Sequence, residues 1–326
     1  MAERSTLTQS SQWGVESTPG TAVAANRKLN ALSIELGIKP EVKVFRPSGG
    51  KFPTISMPGK EWTEGDISGV MSYSDIVYAL SGNVAYAAPV QQSATIAYLW
   101  THTPSQSSTD TTKKYTIEQG SSVRAHRAPY GLVNSFGYSV NRTEATTKGA
   151  MLLQKLEDDI TMTATPTEIE PVPMLPEQFC IYVDDASGDL GTTKLTREFA
   201  VDWEFNDRYG AVWPLDCALD GFAADVEMEP KAKLKLLVAA DAQGMGFLDD
   251  MRAGTKKFIR IQATGSQIVS GQNYLFTHDV CAVVTSVEKF KDEQGVYAIQ
   301  WEFTPTYDAT WTKAFTIGVK NTLTGL

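Results

Sequence analysis

Hydrophobic and polar residues alternate with a period of two along much of this chain. Leu32, Ile34 and Leu36 alternate with Ser33, Glu35 and Gly37, and Val42 and Val44 resume the phase after Pro40. Phe199, Val201, Trp203 and Phe205 point one way, while Ala200, Asp202, Glu204 and Asn206 point the other. Tyr297, Ile299, Trp301 and Phe303 repeat the pattern, as do Phe315, Ile317 and Val319 near the end. Successive side chains of a strand face opposite sides, so this alternation predicts sheets with one buried and one wetted face. Residues 281–290, a polar turn at 291–295 closed by Gly295, and residues 296–303 predict a long hairpin.

Helical periodicity is confined to two short stretches. At 72–80, Ser72 and Asp75 have the spacing of a capping box, Tyr73, Ile76, Val77 and Leu80 share a face, and Gly82 supplies a stop. At 241–253, Met245, Leu248 and Met251 face inward and Gly254 lies past the end. The expected fold is therefore mainly β, a sandwich or partly open barrel with one or two short flanking helices.

The remaining segments suggest boundaries. Residues 1–30 are polar and small and predict an extended arm with little core of its own. Residues 46–60, rich in Gly and Pro, predict a loop. A Pro-rich stretch at 166–176 divides a first β region, 31–165, from a second, 166–326. The second either completes the fold or repeats the first. The helix at 72–82 precedes a strand-like run at 94–100, and the helix near Gly244 likewise precedes one at 256–263.

Composition narrows the function classes. The 326 residues are 42% hydrophobic and 21% charged, which suits a globular chain with a sizeable core. A formal net charge of −9 argues against a protein that grips nucleic acid, because phosphate neutralisation needs clustered Lys and Arg. It leaves room for one that lets nucleic acid slide past. Cys180, Cys217 and Cys281 are odd in number and widely spaced, which predicts buried free thiols of a reducing cytoplasm. The start of the chain has no signal-peptide pattern, and no run of about 18 apolar residues predicts a membrane span. Without secretion, Asn141-Arg142-Thr143 is a chance glycosylation match.

Chemical motifs fail one by one, so no catalytic residue, cofactor site or metal site is expected. Gly244-Met245-Gly246 lacks the third glycine of a dinucleotide turn, because Asp249 stands there. Asp184-Asp185-Ala186-Ser187-Gly188-Asp189 resembles a calcium loop, but its twelfth position is Leu195 instead of a bidentate Glu, which favours a solvated turn. His102, His126 and His278 lie in separate segments without metal-ligand spacing. Glu157-Asp158-Asp159 reads as a charged turn in preference to a glycosidase dyad.

Three stretches carry a resemblance. Trp13-Gly14-Val15-Glu16-Ser17-Thr18-Pro19-Gly20-Thr21-Ala22 resembles the N-terminal arm of major tail tube proteins of long-tailed, siphovirus-like bacteriophages. Glu64-Gly65-Asp66-Ile67 followed by Ser74 to Gly82 looks like that family's strand, helix and following glycine. Trp301-Glu302-Phe303-Thr304-Pro305-Thr306-Tyr307-Asp308, with 313–319 and Asn321, resembles its closing strands. The likeness covers both ends well and the middle loosely.

The resemblance implies a non-enzymatic virion subunit, made in the bacterial host cytoplasm and placed in the virion tail. Its partners would be copies of itself in stacked rings, sixfold, or threefold if the chain holds two such domains. Terminator, tape measure and distal tail proteins would join them, with double-stranded DNA in transient passage and no membrane insertion. Candidate contacts between rings are Trp13, Glu16 and Pro19 in the arm, and Arg46, Lys51, Phe52 and Lys60 in the loop. Asp202 and Glu204 are candidates to line an acidic lumen, with a solvated outer face as their equal alternative. The competing expectations are another virion ring component (distal tail, terminator or capsid decoration protein) and a carbohydrate-binding or carbohydrate-cleaving β-sandwich. The scattered tryptophans disfavour the latter.

Overall fold

A computed structural model of the chain describes residues 9–121, 123–216 and 221–326. Strand takes up 55% of it and helix 8%, which makes the fold mainly β. The first part runs β1 (Ser10–Val15), β2 (Arg27–Leu29), β3 (Leu32–Phe45), β4 (Ile55–Val70), α1 (Ile76–Asn83), β5 (Val90–Gln91), β6 (Tyr98–His102), β7 (Tyr115–Gly120), β8 (Ala125–Asn141), β9 (Ala145–Leu153), β10 (Glu157–Ile160) and β11 (Thr167–Ile169). The second runs β12 (Phe179–Asp184), β13 (Glu198–Asn206), β14 (Tyr209–Val212), β15 (Ala224–Glu227), β16 (Lys231–Ala239), α2 (Ala242–Ala253), β17 (Lys256–Val269), β18 (Gln272–Val287), β19 (Lys291–Glu293), β20 (Val296–Pro305) and β21 (Phe315–Asn321).

The strands build open, sandwich-like sheets. One continuous ladder follows β3, β4, β9, β8, β13, β16, β20 and β18, every neighbour antiparallel. The first half of β8 turns away from this ladder to pair with β7, which carries β1. The first half of β18 does the same with β21 on one edge, while β17 takes the other. Period-two alternation explains the layers. Val201, Trp203 and Phe205 of β13, Leu234, Leu236 and Val238 of β16, and Ile299, Trp301 and Phe303 of β20 all join one core.

The two helices differ in kind. Every residue of α1 from Ile76 to Asn83 is buried, so the helix lies inside the sandwich instead of flanking it. Gly82 does not stop it. It sits within the last turn, where a side chain would strike Val133 and Tyr115. Asp75 does not close a capping box either: it accepts a hydrogen bond from the backbone N–H of Ala31 and so ties the helix start to β3. By contrast, α2 flanks the core as expected. Asp241 caps it by accepting from the N–H groups of Gln243 and Gly244, and Gly254 ends it at φ 64°, a left-handed conformation that glycine adopts without strain. No helix among the described residues is long and apolar enough to cross a membrane.

Two expected segments are corrected. Residues 1–8 lie outside the described residues, but 10–30 are not a free arm. Strand β1 pairs along its whole length with β7, and Trp13 is fully buried against Tyr115. The predicted loop at 46–60 is shorter than expected: β3 and β4 extend to Phe45 and from Ile55, and only 46–54 turns. The hairpin predicted at 281–303 is present, with its reversal at Gln294 (φ 53°) and Gly295 (φ 82°). Positive φ at both positions is what a two-residue turn between twisted strands requires.

Candidate assembly surface

The most unusual surface is the outer part of the β3–β4 hairpin. Strand β9 pairs with β4 only from Thr63 to Val70, so beyond Thr63 the hairpin has no strand on either edge among the described residues. Its outer stretch, 39–45 of β3 and 55–62 of β4, projects roughly 25 Å at ~3.3 Å per residue. The core phase of β3, Ile34 and Leu36, continues outward as Ile38, Pro40, Val42 and Val44. Among the described residues no core covers these outer positions, and Val44 is 63% exposed. The opposite face carries Phe45 beside Ile55 and Lys43 beside Met57. At the tip, Phe52 is 70% exposed. An isolated two-stranded ribbon is marginal in water, and apolar patches of this kind mark interaction sites.

Local chemistry keeps the ribbon from simple edge-to-edge aggregation. The register slips between Pro40 and Val42, forming a bulge in β4 at Gly59 and Lys60, opposite Glu41, and a side chain at Gly59 would press on the Glu41 carbonyl. Prolines at 40 and 58 remove two ladder donors at this bulge, which suits an edge that must not zip indiscriminately. The base is buttressed: Trp62 meets Trp213 edge-on at 6.1 Å, and the Lys60 ammonium lies 5.1 Å from the Trp213 ring.

Trp213 belongs to a second apolar feature. The small sheet β14–β15 covers a minor core of Tyr130, Leu132, Tyr209 and Phe222, and exposes Val212, Leu215, Val226 and Met228. It is anchored by Arg208, which is 1% exposed and pairs with Asp110 at 2.9 Å and Glu227 at 2.7 Å. Arg208 also donates to the carbonyl oxygens of Asn83 and Val84. A fixed cation at a helix C-terminus satisfies orphan carbonyls and opposes the helix dipole.

The expected contact residues divide into three groups. Arg46, Lys51 and Phe52 come together at the hairpin tip, with the Lys51 ammonium 5.8 Å from the Phe52 ring, while Lys60 lies at the base. Pro19 is exposed elsewhere on the subunit. Trp13 and Glu16 are interior residues, which removes both from the contact set. The Glu16 carboxylate accepts from the N–H of Gly20 and Tyr130 and from the Thr116 hydroxyl, at 2.7–2.8 Å. Residues missed by sequence are Phe45, Ile55 and Met57. The alternation of Val42 and Val44 was the available signal.

Asp202 and Glu204 sit together on the wetted face of the ladder, but not in an acidic field. Asp202 stands opposite Lys235 and Glu204 opposite Lys233. The Lys148 ammonium lies 2.6 Å from Glu204, and Lys233 reaches Glu302 at 2.9 Å. A hydrogen bond from Lys148 holds the Glu204 carboxyl below its usual range. Strand β13 carries no base on its polar phase, yet its neighbours supply three, so the face is a charge-balanced checkerboard.

His102, His278 and Asp184 have hydrogen-bonding partners within the fold. His278 is buried with its Nδ1 2.7 Å from the Tyr138 hydroxyl, and burial pushes its pKa down to about 3. His102 lies 2.7 Å from the Ala85 carbonyl, with its pKa lowered by burial to about 4. Asp184 spends its lone pairs on its own turn, accepting from the N–H groups of Gly191, Thr192 and Thr193 and from the Thr192 hydroxyl. That turn is buried at Asp184, where a solvated one was expected. Cys281 is buried and Cys180 half-buried, both as free thiols; Cys217 lies outside the described residues. No group of three or more His, Cys, Asp or Glu among the described residues is placed to hold a metal. A comparison with protein-family models and with curated protein sequences returns no match.

Proposed function

We propose that this chain is a structural subunit that assembles into stacked rings, the tail tube of a long-tailed bacteriophage, and that it catalyses no reaction. The supporting observation is the outer β3–β4 hairpin, whose apolar residues line both faces with nothing among the described residues to cover them. Contacts along a tube axis are heterologous, joining unlike patches of successive subunits, and a projecting ribbon is suited to reach across such a boundary. The exposed β14–β15 sheet lies beside the hairpin base and supplies a neighbouring apolar rim. A conduit for DNA must not hold it. On the wetted ladder face each lysine already stands beside an acid, so few free cations remain to exchange with phosphate counterions. The tube would be joined by terminator, tape measure and distal tail proteins in the virion tail.

The hairpin provides the test. Val44→Lys combined with Phe52→Asp places charges on both apolar parts of the ribbon without touching the core. Light scattering should show that the wild-type chain grows into large particles with concentration while the variant stays small. Equal growth of both would remove the hairpin from assembly.

A further inference from the structure

The two parts of the chain repeat one topology. In order, β1, β3, β4, α1, β7, β8, β9 and β10 correspond to β12, β13, β16, α2, β17, β18, β20 and β21. The antiparallel pairs match throughout. In the first part they are β1–β7, β3–β4, β4–β9, β9–β8 and β8–β7, with β10 on the first half of β8. In the second they are β12–β17, β13–β16, β16–β20, β20–β18 and β18–β17, with β21 on the first half of β18. Each helix packs on the same member of its set, α1 on β8 and α2 on β18.

The registers match too. In β8 the pairing with β9 slips between Val133 and Ser135; in β18 the pairing with β20 slips between Val284 and Ser286. Val133 faces Met151 at that point, as Val284 faces Phe303. A shared strand order could arise by chance, but a bulge at the same place in the same pair marks one unit used twice.

The two units are joined by a strand pair. Strand β8 of the first lies antiparallel to β13 of the second, with Phe136 opposite Phe205 and Val140 opposite Val201. The matching edges at the outer ends of the chain have no strand partner among the described residues: the outer edge of β3, and the edge of 287–292 turned away from β20. Carrying the registers across puts Ile38 in the place of Phe205 and Val287 in that of Phe136. Phe205 and Phe136 are each 2% exposed, whereas Ile38 is 51% and Val287 37% exposed. The outer ends thus show the same junction with its partner missing.

We infer that copies of this chain join head to tail, β3 of one copy pairing antiparallel with residues 287–292 of the next as β13 pairs with β8 inside the chain. Ile38 then faces Val287, Gly37 faces Glu288 and Glu35 faces Phe290. The edge is guarded in the single chain. The Leu36 N–H donates to Gln119 Oε1 at 3.0 Å, and Gln119 Nε2 donates to the Ile34 carbonyl at 2.9 Å. One amide side chain therefore occupies the backbone groups the incoming strand would claim, and ring formation exchanges these bonds for ladder bonds. Such a guard keeps an edge strand from pairing indiscriminately before assembly. The number of copies rests on the assembly reading above: a ring of six units closes with three chains, because each chain supplies two.

Cysteine cross-linking tests the junction. The Ile34 and Leu36 backbone groups point out of the β3 edge, so Gly37 and Glu288 form a pair without mutual hydrogen bonds, with Cα atoms about 4.5 Å apart, within disulfide reach. The site at Gly37 is open to a side chain. A chain carrying both Gly37→Cys and Glu288→Cys, oxidised and run on a non-reducing denaturing gel, should give dimers and trimers and stop at three, while each single variant stays monomeric. Glu35→Cys with Phe290→Cys should behave alike, which keeps the test valid if one variant folds poorly. A ladder that runs on to six overturns the count. Large particles in light scattering that run as monomers on the gel overturn the junction and leave the assembly reading standing. No particles and no cross-links in a folded chain overturn both.

Discussion

The Nε of Arg208 donates to the carbonyl oxygen of Asn83 at 2.8 Å, joining the start of β14 to the end of the buried helix α1. The same guanidinium pairs with Asp110 and Glu227, so one side chain closes three segments that are distant in sequence. Arg208→Met should leave Asp110 buried without its cation and cost about 3–5 kcal/mol, the usual result of breaking a buried pair from one side. Urea unfolding measures it. A loss below about 1 kcal/mol would show that the network is dispensable.

Glu16 predicts a similar dependence in a segment that reads as an arm. Its carboxylate satisfies two backbone N–H groups and one hydroxyl. Glu16→Ala should cost on the order of 3 kcal/mol by stranding those donors. Deleting residues 10–30 should abolish folding altogether, because β1 and Trp13 leave with them. A folded, soluble deletion product, judged by circular dichroism and thermal melting, would contradict this.

What sequence made legible, and what it hid, follows from which faces meet water. Strand β13 has a dry and a wet face, so Phe199 to Asn206 alternate and its direction could be read. Helix α1 is dry all round, so its pattern misplaced both the start, read at Ser72 although Asp75 holds the N-cap position, and the stop at Gly82. Trp13 was hidden because its strand is six residues long among polar neighbours, and its cover comes from β7, about a hundred residues away. The hairpin was half legible: Pro58 and Gly59 suggested a loop but mark a bulge within a strand. The lysines beside Asp202 and Glu204 were beyond reach, since they come from β9 and β16 through pairing no local pattern reveals.

Acid should unfold the protein through its histidines. The pKa values of His278 and His102 are lowered by burial to about 3 and about 4, against an ordinary 6.5. The unfolded chain therefore binds two protons that the folded chain refuses, and stability present above pH 6.5 is lost as pH falls. Burial lifts the Asp75 carboxyl from 3.8 to about 6, so this group acts the other way, adding stability below 3.8 that is lost as pH rises through about 6. His278→Gln should make the acid limb shallower, and Asp75→Asn should make it steeper between 3.8 and about 6. Urea midpoints measured from neutral pH down to about 4.5 separate the two, and an unchanged slope in both would contradict these assignments.

The hairpin makes the opposite prediction to the core. Replacing residues 40–59 by an Asn-Gly turn removes exposed ribbon alone, so unfolding free energy should stay within about 0.5 kcal/mol. Assembly should be lost. A large fall in stability would show that the ribbon packs on its own subunit.

Electron micrographs of the purified wild-type protein at rising concentration test whether this chain builds a tube. Rings that stack into long hollow tubes are the expected result. Monomers at every concentration would contradict it, and so would closed rings that never stack.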